Sequence, residues 1–389
     1  MKYLGSGMRS ATIRQTILTS ARRVVVKLGT QVLTGSPPGR AGLDLPYIKR
    51  MAHQIAVLRK RGMQVTVVSS GAIGAGCAEL KLAKRPAYVA DQQAVAAVGQ
   101  RKLMMHMHEA FGSHGLPVGQ VLLTRNDFDD RVRFLNIRNC IARLHKMGCV
   151  PILNENDAVS VDELRFGDND LLAALVCNAL RADALVLLTT VDGLLDDQGH
   201  RLDLVRDIQQ VMGLVRPDTN EHGTGGMVTK LEAAGLVTGA GEVAVIANGR
   251  DRNVLGRLFD AQPVGTVFVP AVRKLSSRHR WIGLTKRPAG SATVDDGAGR
   301  ALSRQGGKSL LAIGITGVAG RFDRGQVITV CDGGGRPMAR GLSNYSASEV
   351  RKIMGKRSNQ FEALLGRAAF ATVIHRDNLV LIEGGSGQR

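Results

Sequence analysis

Six short runs of aliphatic, mostly β-branched residues recur through the first two thirds of the chain, and longer segments separate them. The runs occupy residues 24–26, 65–68, 118–123, 150–153, 184–188 and 243–246. Runs of this length are typical of buried strands, whereas residues 45–61 and 91–111 space their apolar side chains three and four apart, as a helix does. The alternation predicts an α/β fold, a three-layer αβα sandwich with a mainly parallel sheet and helices on both faces.

The sequence changes character after Pro270, where the segments become shorter and glycine turns come closer together. These segments cover residues 311–317, 325–330, 332–335 and 371–375. Short segments separated by glycine turns predict a small β-rich domain. A chain of 389 residues is long enough for two domains. We therefore expect an N-terminal extension over residues 1–20, which we interpret as frayed, a larger domain over 21–271 and a small domain over 279–382.

The chain is strongly basic, with a formal net charge of +19 from 52 Lys and Arg against 33 Asp and Glu. Part of this charge is concentrated at residues 273–308. A basic surface suits nucleic acid, an anionic membrane or small anions such as nucleotides and dicarboxylates, and it is also typical of a solvated face. Charge alone does not choose among these partners.

Cysteine usage and hydropathy bear on the compartment. The 5 cysteines are an odd number without paired metal-type spacing, which favours a reducing cytoplasm over a disulfide framework. No stretch of about 18 uninterrupted apolar residues could span a bilayer, and the N-terminal segment lacks the apolar region of a signal peptide. We therefore predict a cytoplasmic protein without a membrane segment.

Polar and glycine residues follow the apolar runs, at the sheet edge where folds of this kind bind ligands. Lys27, Gly29 and Thr30 follow the first run. A lysine there could follow negative charge between phosphate oxygens during transfer, although a surface lysine would also fit the pattern. Ser70 and the small residues after it lead into a helix, where they could bind an anion or where Ser70 could simply cap the first turn.

Acidic and amide residues are densest in two tetrads, Asn-Glu-Asn-Asp at residues 154–157 and Gly-Asp-Asn-Asp at residues 167–170. Such a set could hold the ammonium of an amino acid, orient lysines or coordinate Mg²⁺, which prefers carboxylate oxygen and water. An Asx-turn followed by a helix cap explains one tetrad easily but explains two consecutive tetrads less well.

A phosphate-like segment covers residues 223–230, which read Gly-Thr-Gly-Gly-Met-Val-Thr-Lys. Glycines permit close backbone approach, and Thr229 offers a hydroxyl group. Lys230 enters the first turn of the following helix, where the helix dipole disfavours a positive side chain unless an anion is present. The segment therefore predicts an anion at this helix N-terminus.

Three other segments resemble known functional motifs but do not match them in detail. Residues 306–309 imitate the end of a P-loop, but Leu302 stands where its first glycine belongs. His106 and His108 are two residues apart rather than four, and no Cys-x-x-Cys occurs, so a zinc site is not indicated. Ser70 lacks the glycine on both sides that a nucleophile elbow shows, so a serine esterase gains no support.

Taken in order, the polar segments resemble the glutamate 5-kinases of the amino acid kinase superfamily. The matching motifs cover residues 25–30, 70–72, 154–159, 167–170 and 223–230, with 122–125 and 133–136 in addition. From Arg280 and Trp281 through residues 288–298 to residues 375–377, the chain resembles a PUA domain. PUA domains in other proteins bind RNA.

The resemblance implies a role for each matched residue. Lys27 and Lys230 would be catalytic and would stabilise the transferring phosphoryl group, while Asp170 would organise the two lysines. The glutamate-binding residues would be Ser70, Gly71, Ala72, Asp157 and Asn169. The ATP-binding residues would be Lys27, Gly29, Thr30, Thr189, Thr190, Thr224, Gly225, Gly226, Met227, Val228, Thr229 and Lys230. The resemblance implies no metal held by protein ligands, and Mg²⁺ would bridge the phosphates of ATP.

Two positions depart from the pattern of this family. Thr190 stands where Asp is common, and Val228 stands where a small hydroxyl residue is common. Neither is a phosphoryl-transfer lysine, so the departures bear on nucleotide binding.

The implied reaction is the ATP-dependent phosphorylation of the side-chain carboxylate of L-glutamate to L-glutamyl 5-phosphate, the first step of proline biosynthesis. Two alternatives stay open: another amino-acid kinase, acting on aspartate, acetylglutamate or carbamate, and an RNA-binding protein whose kinase domain is degenerate. The resemblance also suggests a homo-oligomer, either a dimer or a tetramer. Inhibition by proline, a glutamyl phosphate reductase partner and RNA binding by the PUA domain are further hypotheses.

Overall fold

The computed structural model describes residues 10–34, 42–160, 169–214, 226–270, 275–303, 308–366 and 370–382. Its contacts divide the chain into two units, Met1–Lys274 and Leu275–Arg389. Each unit contains a sheet of its own. No helix in the described ranges is long and apolar enough to cross a membrane.

The first unit is built on an eight-stranded sheet with the order β3-β4-β2-β1-β5-β7-β8-β6. Its strands are β1 (Arg23–Leu28), β2 (Gln64–Ser69), β3 (Val118–Leu123), β4 (Val150–Glu155), β5 (Ala184–Thr189), β6 (Leu204–Val205), β7 (Val243–Asn248) and β8 (Thr266–Phe268). Strand β8 runs antiparallel to β7, β6 runs parallel to β8, and the other neighbours are parallel. The mainly parallel α/β fold is confirmed, and all of the predicted runs lie inside strands.

Helices connect these strands. Their bounds are α1 (Ser10–Thr19), α2 (Thr30–Leu33), α3 (Leu45–Lys60), α4 (Ala72–Glu79), α5 (Val89–Gly112), α6 (Arg125–Asp129), α7 (Arg131–Lys146), α8 (Asn169–Leu180), α9 (Ile208–Met212), α10 (Met227–Thr238) and α11 (Val254–Phe259). Helices α3 and α5 confirm the two segments that the apolar spacing predicts.

Alternating side chains of strand β1 contact the helices on the two faces of the sheet. Val24, Val26 and Leu28 lie in the apolar core that α1, α3, α5 and α11 share. Lys27, which alternates with them and so points to the opposite face, pairs with α8. Helices α8 and α10 pack against each other on that face. The catalytic candidates therefore lie on the α8 and α10 side of the sheet.

Helices α4 and α5 cross with their backbones in contact. A Cβ atom at Gly99 of α5 would lie 1.8 Å from the carbonyl oxygen of Ala72, and one at Gly76 of α4 would lie 1.9 Å from that of Val95. Only glycine permits such an approach at both positions. The crossing holds α5 rigidly against the beginning of α4.

The expectation of a frayed N-terminus is wrong from residue Ser10 onward. Helix α1 buries Ile13, Ile17 and Leu18 in the core. The buried guanidinium of Arg14 donates hydrogen bonds to Asp203 and to the carbonyl oxygens of residues 262, 264 and 265. The many basic residues of this segment hid its apolar face, whose residues recur at helical spacing.

The second unit contains a five-stranded sheet with the order β10-β9-β11-β12-β13. Its strands are β9 (Gly290–Val294), β10 (Ile315–Gly320), β11 (Val327–Cys331), β12 (Pro337–Leu342) and β13 (Leu379–Leu381). Its helices are α12 (Ser277–Arg280), a π-helical turn (Trp281–Thr285), α13 (Asp296–Ser303), α14 (Ala347–Ile353), α15 (Phe361–Leu365) and 3-10 turns at Ala312–Gly314, Ser358–Gln360 and Arg376–Asn378.

The β-rich character predicted for this part is confirmed, with one difference in detail. Residues 371–375 contribute only an isolated bridge between Ile374 and Leu310, and the strand follows at β13. Val373 and Ile374 are buried in the core of the unit, so their apolar character reflects burial rather than a strand.

Candidate active site

Two lysines from different elements meet on one buried carboxylate. The Nζ atom of Lys27, near the end of β1, lies 2.8 Å from Oδ1 of Asp170 on α8. The Nζ atom of Lys230, on α10, lies 3.0 Å from Oδ2 of the same residue. Asp170 is fully buried, and both lysine side chains are less than one-tenth exposed. The structure thus brings together the three residues predicted to be catalytic.

The charges of this cluster determine the ionisation of Asp170. Burial alone would raise the pKa of the carboxyl group, but Lys27 and Lys230, which also hydrogen-bond to it, outweigh that effect and hold the pKa below its ordinary value. The carboxylate therefore stays ionised. Two ammonium groups share one negative charge, so the cluster carries a net positive charge suited to an anion.

The first turn of α10 is arranged as an anion-binding helix terminus. Gly226 is its N-cap and supplies no side-chain cap, and no acidic residue lies in the first turn. The Thr229 hydroxyl lies 3.2 Å from Oδ2 of Asp170 and 2.9 Å from the carbonyl oxygen of Gly226. Met227 and Val228 complete the turn, and both are half-buried. Thr224 and Gly225, also predicted to bind ATP, lie outside the described residues.

The loops that follow β1 and β5 lie side by side. The amide of Gly29 donates to the carbonyl oxygen of Leu188 over 3.3 Å, and a Cβ atom at Gly29 would lie 3.2 Å from that oxygen and 3.7 Å from Nζ of Lys27. Thr30 is exposed at the start of α2, and Thr189 ends β5 half-buried. Thr190 is exposed and follows directly. These predicted nucleotide residues share one edge of the sheet with Lys27.

Amide and hydroxyl groups form a second cluster at the same edge. Nδ2 of Asn169 donates to the carbonyl oxygen of Ser69 over 2.5 Å, to Oδ1 of Asn154 over 2.6 Å and to Oγ of Ser70 over 3.3 Å. Asn169 directly precedes Asp170 in α8. The structure therefore joins the predicted glutamate residues Ser70 and Asn169 and places them next to the lysine cluster.

Gly71 and Ala72 follow Ser70 and begin α4. Gly71 is the N-cap of α4 with φ 92° and ψ 4°, a left-handed conformation that glycine adopts without strain. Ala72 is the first residue of the helix. Their backbone amides stand at a helix N-terminus, which suits a carboxylate.

Asp157 lies in the turn after β4, half-buried and two residues beyond the end of the strand. Ser160 closes this turn by donating to Oε1 of Glu155 over 2.9 Å. A cavity of about 370 Å³ opens beside it, with Asn156, Ser160 and Thr124 in its wall. Asp168 and the other first residues of the second tetrad lie outside the described residues.

Several contributors were not predicted from the sequence. Gln31 bonds to Thr190, and Gln100 bonds to Asn154. Gln100 could not be identified from its local sequence, because its partner Asn154 lies 54 residues away. Gln31 carried no signal that separates it from a surface glutamine.

No group of three or more His, Cys, Asp or Glu side chains that could hold a metal ion occurs among the described residues. Both oxygens of Asp170 face lysines, so this carboxylate is a poor ligand for a cation.

Two family models match the chain. The amino acid kinase family model matches residues 22–248, and the PUA domain model matches residues 290–365. The first match covers more than half of the chain and includes the lysine cluster. The chain belongs to the amino acid kinase family, and a PUA domain follows the kinase part.

More narrowly, the chain belongs with the glutamate 5-kinases. It is 44% identical to "Glutamate 5-kinase" of Synechococcus sp. (strain JA-3-3Ab) over 92% of this chain and 98% of that protein. It is 44% identical to that of Geobacter sulfurreducens over 95% of this chain and 100% of that protein, and 46% identical to that of Gloeobacter violaceus over 92% and 99%. These relatives favour the glutamate 5-kinase interpretation over both alternatives.

Among solved structures, the chain is similar to carbamate kinase from Giardia lamblia bound to AMP-PNP. The two share 17% sequence identity and a TM-score of 0.47, over 65% of this chain and 99% of that one.

Proposed function

We propose that this chain transfers the γ-phosphate of ATP to the side-chain carboxylate of L-glutamate and so produces L-glutamyl 5-phosphate, the first step of proline biosynthesis. The observation that carries the proposal is the convergence of Lys27 and Lys230 on Asp170. Membership of the glutamate 5-kinases supports the choice of substrate.

The reaction needs no general base. A glutamate side chain with an ordinary pKa of about 4.3 is already an ionised nucleophile at neutral pH. The difficulty is that one anion must attack another, so catalysis depends on positioning and charge neutralisation. Lys27 and Lys230 supply positive charge on either side of the transferring phosphoryl group, and Asp170 keeps both ammonium groups in position.

The nucleotide would bind at the ends of β1 and β5 and at the first turn of α10. Gly29 lets phosphates approach the backbone, and the uncapped amides of α10 point toward negative charge. Mg²⁺, when bound with the nucleotide, would neutralise part of the phosphate charge. Thr190 and Val228, where the family commonly has Asp and a small hydroxyl residue, would set the affinity for nucleotide.

The amino acid would bind beside Ser70 and Asn169. The hydroxyl of Ser70 and the amides of Gly71 and Ala72 are donors, which suits the α-carboxylate. Asp157 and the carboxamide oxygen of Asn169 are acceptors, which suits the ammonium. The γ-carboxylate would then extend toward the lysine cluster, because Asn169 and Asp170 are adjacent in α8.

We extend the proposal to the organisation of the chain. Residues 21–271 would form the kinase domain and residues 279–382 the PUA domain, and the N-terminal extension over residues 1–20 would pack helix α1 into the kinase core. The reaction would take place in the cytoplasm, where ATP is available and the five free cysteines would stay reduced. A homo-oligomer, inhibition by proline, transfer of the labile acyl phosphate to a reductase and RNA binding by the PUA domain belong to this proposal as hypotheses.

Trapping of the acyl phosphate tests the proposed reaction. Purified protein is given ATP, Mg²⁺, hydroxylamine and one amino acid at a time, and hydroxamate and ADP are measured. We expect hydroxamate with glutamate but not with aspartate or N-acetylglutamate. Lys230→Ala should lower the rate on the order of a hundredfold or more, as loss of one transition-state donor does.

Lys84→Ala is the matched control, because Lys84 is exposed in a loop and should leave the rate unchanged. Hydroxamate formation with aspartate and not with glutamate would reassign the substrate. ATP turnover that no amino acid stimulates would overturn the proposal.

A further inference from the structure

Three side-chain amides form a chain of hydrogen bonds from helix α5 to the amino-acid site. Nδ2 of Asn154 donates to Oε1 of Gln100 over 2.7 Å, and Oδ1 of Asn154 accepts from Nδ2 of Asn169 over 2.6 Å. Asn154 and Asn169 are almost completely buried, while Gln100 is half-buried. Gln100 thus stands at the outer end of a chain whose inner end is a predicted substrate residue.

Backbone groups fix the direction of each amide. The amide of Glu155 donates to Oδ1 of Asn154 over 2.9 Å, so that atom must be the oxygen. The carbonyl oxygen of Ser69 accepts from Asn169 over 2.5 Å, so the Asn169 atom there must be the nitrogen. Because a backbone N–H can only donate and a backbone carbonyl can only accept, neither amide can be turned over without opposing two like groups.

This direction decides what Asn169 offers to a ligand. Its Nδ2 atom is occupied by acceptors on Ser69, Ser70 and Asn154. Its Oδ1 atom makes no hydrogen bond within the described part of the chain. It is also not one of the solvent-inaccessible side-chain atoms there that lack a partner, so a ligand can reach it. Ser70 accepts from Asn169 and so keeps its hydroxyl hydrogen for another partner. Adjacent atoms therefore present an acceptor and a donor, the complement of an ammonium beside a carboxylate.

Gln100 is held firmly enough to impose this arrangement. It follows Gly99, whose contact with Ala72 locks α5 against α4. Two turns earlier on the same face of α5, Nε2 of Gln93 donates to the carbonyl oxygen of Ser160 over 3.1 Å. Helix α5 therefore contacts β4 at Asn154 and the turn after β4 at Ser160, and Gln100 is the residue that reaches the amide chain.

We propose that Gln100 is a positioning residue which, through Asn154, holds Asn169 with its carboxamide oxygen available to the ligand, so that this oxygen accepts a hydrogen bond from the α-ammonium of the amino-acid substrate. The inference rests on the proposed function and deepens it. Without an acceptor at position 100, Nδ2 of Asn154 loses its hydrogen-bond partner, and the Asn154 side chain is no longer held from the α5 side. The Asn169 carboxamide, which bonds to Asn154, is then less firmly positioned, so its oxygen is less well placed for the ammonium.

Steady-state kinetics of Gln100→Met test the proposal, because methionine keeps the shape but cannot accept as glutamine does. We expect the KM for glutamate to rise about tenfold, the size of one hydrogen bond to a charged group, with the KM for ATP unchanged. The preference for glutamate over glutarate, which lacks the ammonium, should fall by a similar factor. Gln100→Glu retains an acceptor oxygen and should restore both values.

Gln92→Met is the matched control, since it makes the same change near the start of the same helix, where Gln92 bonds to Pro86 instead. Its constants should equal those of the parent. Should Gln100→Met fail to fold, Gln100→Lys gives the same test because an ammonium can only donate.

An unchanged KM for glutamate, an equal loss for glutamate and glutarate, or no recovery in Gln100→Glu would overturn the inference. The parent's glutamate-dependent hydroxamate formation tests the proposed function separately.

Discussion

The hydroxyl of Thr190 donates a hydrogen bond to Oε1 of Gln31 over 3.2 Å. Thr190 follows β5, and Gln31 lies in the short helix α2 after β1. The bond therefore joins the two loops that flank Lys27 at the sheet edge. Thr190 stands where the resemblance to glutamate 5-kinases implies an aspartate, so this chain links the two loops through a neutral pair.

Gln31→Met should weaken nucleotide binding selectively. The variant loses the bond to Thr190, and an exposed hydrogen bond is worth about 0.5–1.5 kcal/mol, which corresponds to about a two- to tenfold rise in the KM for ATP. The KM for glutamate should stay unchanged, since Gln31 makes no contact with Ser70 or Asn169. Initial rates with each substrate varied in turn measure the difference, and an equal rise in both KM values would contradict the expectation.

Asp170→Asn should damage both stability and turnover. The substitution leaves two buried ammonium groups without their counter-charge, which typically costs about 3–5 kcal/mol of unfolding free energy. Turnover should fall on the order of a hundredfold, because the lysines lose their fixed positions. Urea unfolding and hydroxamate formation measure the two effects.

Asp260→Asn provides the comparison for Asp170→Asn. Asp260 pairs with Arg61 at the surface, where both side chains are nearly half exposed. A pair of this kind contributes less than about 1 kcal/mol, so stability and turnover should remain near those of the parent. Similar losses in the two aspartate variants would show that the buried cluster has no special role.

Gly99→Ala should destabilise the first unit through the α4–α5 crossing. The added Cβ atom would lie 1.8 Å from the carbonyl oxygen of Ala72, so the helices must separate, at a cost of about 3 kcal/mol. Gly112→Ala is the control, because Gly112 ends the same helix with nothing within 4 Å of the new atom. Thermal unfolding should show a large loss for the first variant and none for the second, and equal melting temperatures would refute the close contact.

His145 should make stability depend on pH below neutrality. Burial, together with Arg59 and Arg23, lowers the pKa of His145 to about 4, and its ring bonds to the hydroxyl of Thr66 over 2.9 Å. The unfolded chain binds a proton near the ordinary pKa of about 6.5, while the folded chain does not. This contribution to stability is therefore complete above about 6.5 and is lost as the pH falls toward 4.

His145→Gln removes the titrating group and keeps a partner for Thr66. Between pH 6.5 and pH 4, the unfolding free energy of this variant should fall less steeply than that of the parent. Urea titrations at several pH values measure both slopes, and parallel curves would assign the pH dependence to other groups.

The fold was largely predictable because strands that are buried on both faces consist mostly of aliphatic residues. Strands such as β5 and β7 are buried along nearly their whole length, and enclosure by helices on both faces produces almost uninterrupted aliphatic runs. Strands β6 and β8 have two and three residues, too few to form such a run. Val373 and Ile374 show the opposite case. They are buried and apolar like strand residues, but they lie outside the strands of the sheet.

The sequence indicated which edge of the sheet would gather the candidate residues, but not how their side chains pair. Lys27 and Asn154 lie near the carboxyl ends of their strands and Ser70 directly follows one, so a parallel sheet gathers them at one edge. Their pairing depends on how far α8 and α10 turn toward that edge, which no local pattern records. Gln100 was missed for the same reason, because its partner lies 54 residues away in the sequence and only the α4–α5 crossing brings the two together.

Arg14 has a consequence for the order in which the molecule can be assembled. Helix α1 is synthesised before the other described helices and strands, yet the carbonyl oxygens that accept hydrogen bonds from Arg14 come 248 to 251 residues later. A nascent chain that ends before Val264 cannot bury the charge of Arg14, and it keeps Ile13, Ile17 and Leu18 exposed. Exposed apolar surface of this kind on an incomplete domain is what chaperones bind. Helix α1 can therefore take its native place in the kinase part only after the segment that leads into β8 has been synthesised.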